Sequence, residues 1–154
     1  MTISKPAGTL PLSETLPGTW RLLSRIDVTA EGERKLEPSL GEDPVALLIY
    51  DRGGNFAAQF MRRDRSVDVP DGPAGGKNNS RAQGGYDAYF GTYTIDDEKN
   101  SVTQKLLGAL SREHVGAVLT REMQVDGDKL VIQLETTVGD GLAVTRTLTW
   151  ERVG

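Results

Sequence analysis

The sequence contains no cysteine and a single histidine, His114. This excludes a disulfide frame, a thiol nucleophile and a cysteine-ligated metal, and leaves too few imidazole ligands for a transition-metal site. Basic residues are not in excess. Eighteen Lys and Arg stand against 22 Asp and Glu, a net charge of −4, which argues against a sequence-independent nucleic-acid binder. No apolar run approaches the roughly 20 residues that carry a helix across a bilayer. Met1 to Leu10 lacks a basic segment followed by an apolar one, so no secretory signal is read there and the expected compartment is the cytoplasm. Internal repeats and long amphipathic helices are also missing. What is abundant is punctuation: 18 Gly and seven Pro in 154 residues. That density favours short strands joined by turns over a helical bundle.

The chain opens with an arm, residues 1–15, rich in Ser, Thr, Pro and Gly, expected to be mobile or laid across the body. From residue 16 onward the pattern is that of one domain, 16–154. Its clearest strand is 142–151, where Leu142, Val144, Arg146, Leu148 and Trp150 share one face and the Thr residues the other. Residues 129–136 alternate in the same way, with Leu130, Ile132 and Leu134 on one side. Asp126-Gly127-Asp128 joins that segment to 118–125, and Asp-Gly is a strong hairpin signal. Continuing toward the N-terminus gives eight strands, near 18–28, 45–51, 55–61, 88–95, 101–110, 117–125, 129–136 and 142–152. Most links are short. Residues 63–85 are not: five Gly and two Pro among polar residues read as a flexible lid, with a short helix near 81–86.

Eight sequential antiparallel strands on a chain of this size predict an all-β fold, an up-and-down antiparallel β-barrel whose closure removes exposed sheet edges. Such a barrel is either filled by its own side chains or holds one small ligand. Gly18-Thr19-Trp20 at the first strand and Trp150-Glu151-Arg152 at the last resemble the lipocalin pattern, in which the indole packs against an Arg of the last strand and closes the barrel bottom. Further stretches are similar to the bacterial and fungal lipocalin-like domain family. They are Arg21-Leu22-Leu23-Ser24, Leu48-Ile49-Tyr50 with Gly54, Gln59 through Arg65, Tyr89 through Asp96, Ser111 with Gly116 and Arg121, and Leu148 through Arg152. The chain departs from the family at the Gly/Asn-rich residues 74–85. The resemblance implies a calycin-type barrel and does not fix an activity.

Arg121 and Arg146 are the informative residues. Each lies on the apolar side of its alternation, Arg121 between Leu119 and Met123, Arg146 between Val144 and Leu148. A buried guanidinium needs a partner, and its fork suits a carboxylate, an enolate or a phenolate. Either the two Arg orient an anion inside an apolar cup, or they are structural, bonded to inward carboxylates, Tyr hydroxyls or carbonyls, one of them packing on Trp20. Tyr89 and Tyr93 share a strand face with Ile95, and Gln104 shares one with Val102 and Leu106. Trp20, Gln59, Tyr89, Tyr93, Gln104, Arg121, Met123 and Arg146 are the candidate ligand-binding residues. His114, in Ser111-Arg112-Glu113-His114, is expected in an exposed loop, with a general base at the barrel mouth as the alternative. Asp96-Asp97-Glu98, Asp126-Gly127-Asp128 and Asp140-Gly141 fit turns rather than a calcium loop. The glycines of 72–85 have no Gly-Lys-Ser/Thr for a phosphate loop. No cofactor and no metal are expected.

Three readings follow. The barrel binds a small, largely apolar molecule with an acidic or carbonyl oxygen, without nucleic-acid or membrane partners. Or it is an isomerase or cyclase for a polyketide- or terpenoid-like molecule, with Arg121, Arg146, Tyr89, Tyr93 and His114 as catalytic candidates. Or it is filled and acts through its surface or as an oligomer, a homodimer included. A cavity of about several hundred Å³ reaching Arg121 would set the first two apart from the third.

Overall fold

The computed structural model describes residues 10–73, 78–138 and 141–154. The mainly polar turns and alternating strands fold into one sheet that closes on itself. Its strands are β1 (Gly18–Val28), β2 (Arg34–Lys35), β3 (Val45–Tyr50), β4 (Asn55–Met61), β5 (Tyr86–Asp96), β6 (Ser101–Ala109), β7 (Val118–Asp126), β8 (Lys129–Val138) and β9 (Leu142–Arg152). All pairs are antiparallel; apart from β1 with β3 and β1 with β9, they join sequence neighbours. This is a closed eight-stranded up-and-down barrel, with β2 a two-residue appendage on the upper end of β1.

The period-two patterns place the core. Leu119, Arg121, Met123 and Val125 of β7 point inward, as do Leu130, Ile132 and Leu134 of β8 and Val144, Arg146, Leu148 and Trp150 of β9. Two bulges break the alternation. Between Leu22↔Trp150 and Ser24↔Thr149 an extra residue, Leu23, sits in β1. It turns the inward row from Trp20 and Leu22 to Arg25 and Asp27, because a one-residue slip exchanges the two faces. The second bulge lies between Phe90↔Gly108 and Gly91↔Leu106. Gly91 is required there, since a Cβ would collide with the Lys105 carbonyl.

One end of the barrel is sealed. A short helix, α1 (Leu12–Thr15), lies across it with Leu12 and Leu16 buried. The Trp20 indole is fully buried above them and donates from Nε1 to the Leu16 carbonyl at 3.0 Å. The Arg152 guanidinium lies 4.2 Å from the Trp20 ring and donates to the carbonyls of Pro17, at 2.9 Å, and Thr15. Gly18 has φ +144°, and a side chain there would occupy the place of the Arg152 guanidinium. Residues 12–15 are thus laid against the body; the arm's residues 1–9 lie outside the described residues.

The other end carries the long connections. Residues 81–86 do not form the expected helix. Gln83 and Tyr86 exchange backbone hydrogen bonds of 2.8 and 3.1 Å around Gly84-Gly85, both at positive φ, which a helix cannot accommodate. The described part of 63–85 is tied to the barrel rather than loose. Gly72 N–H bonds the Ala82 carbonyl at 2.8 Å, Arg62 N–H bonds that of Gly85 at 2.7 Å, and Ala82 is buried. Residues 74–77 of that segment, and Asp140 of the Asp140-Gly141 turn, lie outside the described residues.

Candidate functional site

The upper half of the barrel is not evenly closed. β1 pairs with β3 only from Gly18 to Arg21, and β7 pairs with β8 only from Glu122 to Asp126. Loop residues occupy both seams. At the first, Glu37 turns inward; its carboxylate accepts from the backbone N–H groups of Ser39 (3.1 Å) and Leu40 (3.0 Å) and from the Ser39 hydroxyl. At the second, Asn78 takes the place of a strand neighbour. Its side chain donates to the Thr120 carbonyl at 3.0 Å and accepts from the Thr120 N–H at 2.9 Å.

Three guanidiniums enter the space between these seams, and they are not equivalent. Arg146 and Asp27 face each other in register across β9 and β1 and form two bonds of 2.8 and 3.0 Å. Arg25 meets Glu37 at 3.5 Å. Burial and the neighbouring Arg146 charge lower the pKa of Arg25 to about 10, against the opposing pull of Glu37 and Asp27. Arg121 is 5% exposed and, among the described residues, has no carboxylate partner. It donates to the carbonyls of Asn78 (2.6 Å) and Thr120 (3.2 Å), and Tyr89 stands beside it. Burial disfavours its charge, and Tyr89 and Tyr50 beside it partly restore it. In return, burial pushes the Tyr89 hydroxyl up to about 12 despite the guanidinium. Tyr50 is raised further, again by burial.

The cavity between these groups has a volume of about 50 Å³ and is lined by Tyr50, Phe60, Tyr89, Gln104, Arg121 and Trp150 among others. Gly72, Pro73, Asn79 and Ser80, from the described part of the 63–85 connection (the strap), also line it. The volume falls well short of the several hundred Å³ that would separate binding from filling. Aromatic packing is one reason: Phe60 lies edge-on to Trp150 at 5.7 Å and stacks on Tyr89 at 6.4 Å. What remains is a compact space with polar tips turned into it. Gln104 donates to the Tyr50 hydroxyl, yet its Oε1 has no partner; Trp150 Nε1 and Asp87 Oδ1 are also buried and unpartnered. Two further buried atoms, His114 Nε2 and Glu122 Oε2, are also unpartnered and belong to residues outside the lining.

Several candidate residues stand elsewhere. Gln59 is on the outer face, where its Oε1 accepts from the Tyr86 hydroxyl at 2.6 Å, because Phe56, Ala58 and Phe60 hold the inward row of β4. Tyr93 is inward in parity but lies near the sealed end. It packs on Tyr50 at 4.9 Å and its hydroxyl donates to the Asp51 carbonyl at 2.5 Å, outside the cavity lining. Trp20 belongs to the floor, and Met123 is core near Leu12. Arg146 points inward as its alternation requires, but Asp27 engages it fully. It is Arg152, not Arg121 or Arg146, that packs on Trp20. His114 is not in an exposed loop: a 3₁₀ turn, Arg112–His114, folds it inward to 9% exposure, and it does not reach the cavity.

Asp27, Arg25, Glu37, Tyr50 and Asp87 escaped the sequence reading. Simple alternation from Trp20 puts Ile26 and Val28 inside, and nothing in the sequence announces the bulge that reverses this. Tyr50 and Asp87 were accessible, sharing parity with Leu48 and Tyr89 respectively. Among the described residues no group of three or more His, Asp or Glu is placed to hold a metal ion.

Glu37 supplies a pH test. Burial raises its pKa, but Arg25, Ser39, the Leu40 N–H and Arg146 outweigh burial and hold it below the ordinary 4.5. Its stabilisation is therefore complete above 4.5 and is lost as pH falls through the depressed value. Glu37→Gln is expected to cost about 1.5–3 kcal/mol at pH 7 and to flatten the acid limb of the melting curve. Wild-type and variant melting temperatures that run parallel from pH 7 to pH 3 would contradict this.

A closed up-and-down barrel of eight strands, floored by a Trp–Arg pair with a small cavity above it, is the architecture of a lipocalin-like protein, a scaffold suited to holding small molecules. The lipocalin-like domain family model matches residues 17–153, and the chain belongs to that family. Among curated proteins none matches it.

Proposed function

We propose that the barrel binds a compact, largely apolar molecule through an acidic or carbonyl oxygen, and that Arg121 receives that oxygen. The observation that carries this reading is a buried guanidinium without a carboxylate partner, facing a cavity whose Gln104 and Trp150 tips are unpartnered. The pairing of the cavity's guanidiniums supports it. Arg25 and Arg146 form direct ion pairs with Glu37 and Asp27, whereas Arg121 has no carboxylate bonded to it among the described residues. Phe60, Tyr89, Leu148 and Trp150 provide the apolar walls. At about 50 Å³ the space is smaller than the roughly 150 Å³ cavity that takes up benzene, so a single ring enters only with outward movement of the walls. A larger molecule would have to displace the strap at Asn78, whose carbonyl already occupies Arg121.

Native mass spectrometry of protein purified from its own source tests the reading. A small bound species is expected, and only waters in the lumen would support a filled barrel instead. With benzoate as the probe, Arg121→Met should weaken binding about ten- to a hundredfold, the worth of a charged hydrogen bond. Folding should survive, since no carboxylate is orphaned by the change. Equal benzoate affinity in a folded Arg121→Met protein would overturn the assignment.

A further inference from the structure

The carboxyl group at the edge of the cavity is not used by this binding reading. Asp87 enters from β5 two residues before Tyr89, on the same inward row, so the two side chains leave the strand about 6–7 Å apart. It is 5% exposed. One oxygen, Oδ2, accepts from the Ser80 hydroxyl of the strap; the other, Oδ1, is buried without a partner, and the residue lines the cavity with Tyr89 and Arg121. Asp27 and Glu37, by contrast, have both oxygens engaged, and Glu122, the other carboxylate with a buried unpartnered oxygen among the described residues, does not line the cavity.

We propose that Asp87 is a catalytic proton-transfer residue and that the cavity isomerises a small β,γ-unsaturated ketone to its conjugated form. The proposal rests on the binding reading above, with the ketone oxygen as the bound oxygen. The Asp87 carboxylate removes a proton from the carbon between the carbonyl and the alkene. The C–H electron pair becomes a carbon–carbon π bond, and the carbonyl π pair moves to oxygen. The resulting dienolate oxygen lies on the Tyr89 hydroxyl and the Arg121 guanidinium. Asp87, now a carboxylic acid, returns the proton to the γ carbon: the β,γ π pair forms the new C–H bond, the enolate π pair moves to the α,β position, the oxygen pair re-forms the carbonyl, and the O–H pair restores the carboxylate. No oxidant, reductant or water is consumed.

The surroundings suit both halves of the cycle. Burial raises the Asp87 pKa, while Ser80, the Ala88 N–H and the charges of His114 and Arg25 oppose the rise. A carboxyl group displaced toward neutrality exchanges protons more evenly with carbon than a solvated one. Tyr89 and Arg121 stand in a water-poor wall, where hydrogen bonds to a developing oxyanion count most.

The probes are cyclohex-3-enone, whose conversion to cyclohex-2-enone is followed by ultraviolet absorbance, and phenol, a stable mimic of the dienolate. Wild-type protein should accelerate the conversion above the buffer rate. Asp87→Asn should lose about 10²–10⁴-fold while binding phenol within about threefold of wild type, a retention expected because phenol contacts are assigned to Tyr89 and Arg121. Tyr89→Phe, which leaves the base in place, should lose about 10²–10³-fold and serves should Asp87→Asn fail to fold. Wild-type protein that binds phenol but does not accelerate the reaction overturns this inference alone. Full activity in folded Asp87→Asn or Tyr89→Phe also overturns it. Failure of the wild type to bind either phenol or benzoate overturns the binding reading, and this inference with it.

Discussion

Asp27→Ala is expected to lower stability by about 3–5 kcal/mol, because it leaves the Arg146 charge buried and unpaired. For a chain of this length that is roughly 6–20 °C in melting temperature. The size of the effect follows from geometry: the side chains of Asp27 and Arg146 are 2% and 4% exposed and their two hydrogen bonds are 2.8 and 3.0 Å long. The pair itself need not be strongly stabilising, since desolvation offsets most of the attraction. The double variant Asp27→Leu with Arg146→Met should therefore recover most of the loss. Thermal melts of the two single variants and the double variant form the check. Additive losses would show that the two residues act independently, contrary to the register and distances described.

Trp20→Ala should cost a similar amount, about 3–5 kcal/mol, by a different route. The substitution empties the barrel floor, removes the bond to the Leu16 carbonyl and frees the Arg152 guanidinium stacked on the ring. The loss should be local. Protease cleavage within residues 10–17 should accelerate, since Leu12 and Leu16 lose the surface they cover. Benzoate affinity, measured well below the melting temperature, should stay within about twofold, because the floor and the cavity share no lining residue. A large loss of affinity in a folded Trp20→Ala protein would place the indole in the binding site after all.

The strands, their order and the closure of the barrel were legible because period-two alternation in 118–125, 129–136 and 142–151 is set by burial on one side. The floor was legible from Gly18, Trp20 and Arg152. The inward directions of Arg121, Arg146, Tyr89 and Gln104 could also be read: the extra residue of the second bulge, Leu107, lies in β6 beyond Leu106, so it shifts neither the row of Tyr89 in β5 nor that of Val102, Gln104 and Leu106. The partners of the Arg residues could not. Leu23 shifts the parity of β1 without any glycine or proline to mark it, so alternation from Trp20 does not lead to Asp27. Glu37 and Asn78 act from loops, where alternation carries no information, and Asn78 substitutes for a strand by a side-chain device. The burial of His114 likewise depends on a loop folding inward, a tertiary effect outside local pattern.

The two indoles provide the most direct test of the interior. Trp20 Nε1–H is bonded to Leu16 and Trp20 does not line the cavity, whereas Trp150 lines it and its Nε1–H is unpartnered. Benzoate titrated into ¹⁵N-labelled protein should move the Trp150 indole resonance in a saturable way, leave that of Trp20 in place, and move neither in Arg121→Met. Two indole signals that stay fixed in the wild type up to millimolar benzoate would contradict a ligand-receiving barrel.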